Sequence, residues 1–172
     1  MSMILTIFEQ TMLYTPLVMG AYLVIGLMKL PDLSLTSAFT FGAILGLKTL
    51  ALTYSLPQPL CLLLVLTAAL IGGAVVGLIS STLTQRAHFP HLLSTIITEG
   101  LFHGITQFVL GSSNSSLSGY TNPLATSFIP QYPELPLLLV LALSAIGYMY
   151  LFLQTRLGIA CSIYGQNARF FK

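Results

Sequence analysis

Two groups of polar residues interrupt an otherwise apolar sequence. The first lies in residues 29–43, KLPDLSLTSAFTFGA, where Pro31 is followed by Asp32 and then by Ser34, Thr36, Ser37 and Thr40. Proline breaks one helix and fits the approach to the next. A carboxylate or hydroxyl just behind it can accept a hydrogen bond from an unpaired N–H of the first turn, so Asp32 or Ser34 is expected to cap a helix. Capping does not require Thr36, Ser37 and Thr40. A helix that starts near the membrane interior would present its N–H groups and those hydroxyls to a passing solute. Hydrogen bonding to neighbouring helices explains them equally well.

The second group is Thr95, Glu99, His103 and Gln107. Their spacing of four makes one slowly drifting stripe on a helix, on which Glu99 and His103 are expected to pair. Polar groups at membrane depth are costly and face a bundle interior or a water-filled path, so the stripe is expected to point inward. It would then line a solute path or hold helices together. A Glu–His pair could also serve an intramembrane enzyme, but there is no G-x-S-x-G, no H-E-x-x-H and no phosphate-binding G-x-x-x-x-G-K-S/T to support catalysis. His88 and His91 form an H-x-x-H pair. Zinc takes three or four protein ligands, so these read as ordinary loop or interfacial histidines, and no metal is expected.

The composition says what must position these residues. Only 6% of the 172 residues are charged, against about 25% in soluble domains. The mean hydropathy is +0.90. So few charges cannot cover a water-facing surface, and the expected fold is all-α, a polytopic transmembrane bundle in the lipid bilayer. A net charge of +2 gives no reason to expect a nucleic-acid partner. The first apolar run lacks the basic residues and cleavage site of a signal peptide and is expected to be retained as a span. Cys61 and Cys161 read as small buried hydrophobes.

Five segments of about twenty mostly apolar residues are expected to span: 11–28, 35–54, 59–83, 92–110 and 135–154. The Ser-, Asn- and Pro-rich stretch 111–136 is expected to be a loop with a short interfacial turn near Phe128, and its sequon at Asn114 a chance match. With five spans, Lys29, Arg86, Arg156, Arg169 and Lys172 all fall on one side. That side is expected to be cytoplasmic by the positive-inside rule, with the N-terminus outside, or inside if Pro31–Phe39 is re-entrant. Ala38, Gly42 and Gly46 on the second segment, and Gly73 and Gly77 on the third, form small-residue stripes expected to pack helix against helix.

Three stretches, in this order, resemble the integral-membrane permeases of ABC importers related to the branched-chain amino-acid permeases, and within them the tryptophan and tyrosine uptake branch. In LPDLSLTSAFTFGA, Pro31, Asp32, Leu33, Phe39, Gly42 and Ala43 keep the pattern, with Thr36 and Ser37 in place of the branch's second Asp and Gly. In the next, Leu92, Leu93, Ser94, Ile96, Gly111, Asn114, Ser116 and Leu117 match; Glu99 and His103 lie outside the pattern. In TRLGIACSIYGQNARFFK, Thr155, Leu157, Gly158, Ala160, Gly165 and Asn167 match, with Ser162 where an Arg is usual.

The resemblance implies a permease subunit working by alternating access in a bacterial cytoplasmic (inner) membrane, importing an amino acid or similar small solute. It implies no catalysis and no cofactor in this chain, ATP being used by a partner. Its partners would be an ABC ATPase, an extracytoplasmic solute-binding protein and a second permease subunit. Asp32, Ser34, Thr36, Ser37, Thr95, Glu99, His103 and Gln107 would lie on the path. Thr155, Gly158, Gly165, Gln166, Asn167 and Arg169 would belong to a cytoplasmic loop that docks on the ATPase. Residues 1–172 would form one transmembrane domain. Such permeases commonly continue with further spans after this loop, so the expectation includes a truncated, split or remnant permease, and with it a non-transporting assembly role.

Overall fold

The computed structural model describes residues 2–53, 55–111 and 135–166. Regular structure among them is helical: α1 (Ser2–Ala21), a π-helical segment (Tyr22–Leu27), α2 (Ser34–Thr53), α3 (Gln58–Arg86), α4 (His91–Leu110), α5 (Leu135–Gln154) and α6 (Arg156–Gln166). A helix satisfies its backbone polar groups internally, which hydrocarbon demands. Among the described residues four segments are long and apolar enough to cross a membrane: Met3–Leu27, Ser34–Thr53, Gln58–Arg86 and Leu135–Gln154. The sequence reading expects five. The difference is α4, which has the necessary 20 residues but carries Glu99, His103 and Gln107 among its apolar ones.

Two further differences concern element limits. The first helix begins at Ser2, well before residue 11, and carries the polar Thr11 and Thr15 by donating their hydroxyls to Ile7 O and Thr11 O. The stretch 155–169, expected as a loop, is helical through Gln166. The expectations for 112–134, Asn167, Arg169 and Lys172 fall outside the described residues.

Contacts divide the chain into two compact units. One joins Met1–Pro31 to Leu124–Lys172. In it α1 packs on α5, and α6 packs on both α5 and the π-helical segment. The α5–α6 corner is built by Thr155. Its hydroxyl donates to Phe152 O at 2.6 Å and accepts from the Gly158 N–H at 3.2 Å, capping α6. A Cβ at Gly158 would run into Phe152 O, and one at Gly165 into Leu27 O, so both positions bring α6 onto backbone. Lys29, at φ 53°, takes the left-handed conformation just beyond the π-helical segment.

The other unit is the continuous stretch Asp32–Pro123, where α2, α3 and α4 pack on one another. The hairpin of α2 and α3 is antiparallel and close. A Cβ at Gly42 would lie 2.8 Å from Ala69 O, and one at Gly72 would lie 2.9 Å from Gly42 Cα. A Cβ at Gly46 would lie 3.5 Å from Val65, and one at Gly73 would lie 3.7 Å from the Ala38 carbonyl. A Cβ at Gly77 would meet nothing beyond its own helix within 4 Å. The tight crossing therefore rests on Gly42 and Gly72, one residue before the Gly73 of the small-residue stripe. Cys61 is buried, its Sγ 3.5 Å from Thr53 Oγ1.

Candidate functional site

The first turn of α2 is set by Asp32. Its Oδ1 accepts from the Ser34 N–H at 2.8 Å and from the Ser34 hydroxyl at 2.6 Å. Asp32 is therefore the cap, and Ser34 supplies a second donor to it. With the turn fixed, Ser34 and Ser37 are buried while Thr36 and Thr40 are exposed.

That turn lies against the middle of α4. Thr36 Oγ1 lies 3.2 Å from Glu99 Oε1, and Ser37 Oγ donates to the Glu99 carbonyl at 3.3 Å. One turn further along both helices Phe41 and Phe102 meet edge to face, centroids 4.9 Å apart. Such a ring pair contributes about 0.5–1.5 kcal/mol beyond area burial. The two contacts fix α2 and α4 in the same direction. They also bring together two polar groups whose contacting residues stand 62 and 63 apart in the sequence.

The structure distributes those groups over two surfaces. Thr95 is wholly buried, Glu99 is half-buried, and His103 and Gln107 are exposed. Residues four apart on a 3.6-residue helix drift by about 40° per step, which carries the stripe out of the interface. Glu99 and His103 do not pair; among the described residues Glu99's carboxylate has Thr36 as its partner. The buried stripe of α4 lies one residue earlier, at Ser94, Thr98, Phe102 and Thr106. Small hydroxyls are cheaper to bury than a carboxylate, imidazole or amide, because a hydroxyl can bond its own helix. Thr98 does so to Ser94 O at 2.8 Å and Thr95 to Leu92 O at 2.9 Å. Among the described residues Ser94 Oγ and Thr106 Oγ1 are buried with no hydrogen-bond partner. Ser80 of α3 is also buried, so both α3 and α4 carry hydroxyls into the core of the three-helix unit.

What remains outside is a polar strip along α2 and α4: Thr36, Thr40, Glu99, His103 and Gln107. It stands on helices whose other exposed residues are mostly apolar, Leu52, Leu101 and Phe108 among them. Lys48, which the loop-by-loop charge reading leaves aside, is also exposed on α2. It lies twelve residues beyond Thr36, about 18 Å along the axis, and close enough to the end at Thr53 for its stem to carry the ammonium toward the membrane surface. Thr155, Gly158 and Gly165 form the α6 corner and its contact with the π-helical segment; Gln166 ends α6. Among the described residues no three of His, Cys, Asp and Glu come together as a metal site.

A bundle of apolar helices with a polar seam between two of them defines a helical membrane protein. Residues 3–172 match the family described as the branched-chain amino acid transport system / permease component, and the chain belongs to that family. No curated protein and no solved structure matches it.

Proposed function

We propose that this chain is the membrane-spanning permease subunit of an ATP-driven ABC importer for an amino acid or similar small solute. The observation that carries it is the meeting of Thr36 and Ser37 with Glu99, which sets a polar strip on helices built for hydrocarbon. A strip of that kind needs water or a polar partner, and a solute path supplies it. The family match to a permease component supports the same reading. The solute arrives from an extracytoplasmic binding protein, and a second permease subunit completes the path. A separate ATPase engages α6 and drives alternating access. The chain works in the bacterial cytoplasmic membrane, binds no cofactor and makes no covalent bond. The tryptophan and tyrosine uptake branch is our assignment within the family, on the three motifs.

Co-purification tests this. The tagged chain is extracted from its native cells in mild detergent and its companions identified. A stoichiometric ATPase, lost in a Gly165→Leu variant that still inserts, is the expected result. If no ATPase accompanies the chain, while a longer family member keeps its own under the same conditions, the importer reading falls and a non-transporting assembly role stands.

A further inference from the structure

We infer that the exposed strip on α2 and α4 receives the positively charged, ammonium end of the solute; this rests on the permease reading above. The charge of the strip comes first. Glu99 is its one acid, half-buried midway along α4. Among the described residues its side-chain partner is Thr36, at 3.2 Å, whose hydroxyl is shared with Leu33 O at 3.0 Å. Among the described residues no Lys, Arg or His pairs with it. Lys48 lies about 18 Å further along α2, beyond the reach of direct compensation. A carboxylate at that depth with one shared hydroxyl is under-compensated, and a cationic group is what would complete it.

The hydroxyls point to the same ligand. Thr40 Oγ1 is within hydrogen-bond distance of Thr36 O at 3.0 Å and Ser37 O at 3.2 Å. Thr36 divides its proton between Leu33 O and Glu99. A hydroxyl has one proton and two lone pairs. With the proton directed at its own helix, each threonine offers outward only its lone pairs. Thr36, Thr40 and Glu99 therefore present a row of acceptors, and an ammonium carries three donors and no acceptor. A carboxylate end would find no Lys or Arg on the strip; the donors of His103 and Gln107 stand one and two turns beyond Glu99 on α4. The N–H groups of the first turn of α2 carry no formal charge, and Asp32 beside them takes that of Ser34.

The test uses two thiol reagents of the same reactive group and opposite charge, aminoethyl and sulfonatoethyl methanethiosulfonate. Cys61→Ala and Cys161→Ala remove the native thiols from the full chain, and Thr40→Cys or Gln107→Cys places one on the strip. Rates are measured in native membranes and divided by those for free cysteine. The expected result is a preference for the ammonium reagent of about tenfold, largely lost when Glu99→Gln is added. Equal rates for the two reagents, or a preference that survives Glu99→Gln, would overturn the inference and leave the water-lined path intact. No reaction with either reagent at either position would show the strip covered, which overturns the path and the inference together. Because both positions are read by reaction rate, a variant that fails to insert at one is replaced by the other.

Discussion

At the residue scale the sharpest constraint is the crossing of α2 and α3. Gly42→Ala sets a methyl 2.8 Å from a backbone oxygen that cannot rotate away. Overpacking of this kind costs about 1–3 kcal/mol, and thermal unfolding of the purified chain in detergent should show it. Gly77→Ala meets nothing within 4 Å and should leave unfolding unchanged or slightly raised, since Ala is the better helix former. A drop at Gly77 equal to that at Gly42 would mean that the crossing lies elsewhere. Asp32→Ala removes the acceptor of two hydrogen bonds at the start of α2. It should cost about 1 kcal/mol, most of it recovered by Asp32→Asn.

At the scale of elements, Thr155 decides how α5 turns into α6. Thr155→Val keeps the shape but loses the acceptor for the Gly158 N–H. Hydrogen exchange of the first α6 amides should speed by about fivefold, the kinetic face of about 1 kcal/mol of lost cap. Unchanged exchange would show α6 held by its contact with the π-helical segment instead. This corner also shows the limit of reading sequence. Thr155 and Gly158 are prominent as a motif, yet nothing in the short, mixed stretch that follows marks it as helix; cap and packing together make it one. The α2 cap, by contrast, is legible in Pro31 and Asp32, because capping is local chemistry. The inward face of α4 is not. Periodicity finds the stripe of Thr95, Glu99, His103 and Gln107, but it treats all polar residues alike. The cost of burial separates serine and threonine from glutamate and histidine, and the packed stripe is therefore the neighbouring one. That Glu99 meets Thr36 is a matter of tertiary pairing, to which spacing within either helix is blind.

At the scale of the whole molecule, the apolar segments are legible because membrane thickness sets their length, and the one that composition sets apart is α4. Its 20 residues rise about 30 Å, the depth of the hydrocarbon core. We expect α4 to cross despite its polar stripe, with the strip and the core taking up its polar groups. Single cysteines at Ala87 and Gly111, in the chain freed of its native thiols, should then label from opposite sides of the membrane. Labelling from one side would make α4 a re-entrant or surface helix and remove the sidedness argument built on five crossings.

The division into two units has a consequence in time. The unit Asp32–Pro123 is one unbroken stretch, with turns of a few residues between its helices, so each new helix meets a neighbour just made. The other unit is split: α1 is made before these three helices, and its partner α5, which begins at Leu135, after them. At about 5–20 residues per second, α1 waits several seconds or longer in the bilayer while α2, α3 and α4 are made. During synthesis the middle of the chain closes first, and the two ends meet last.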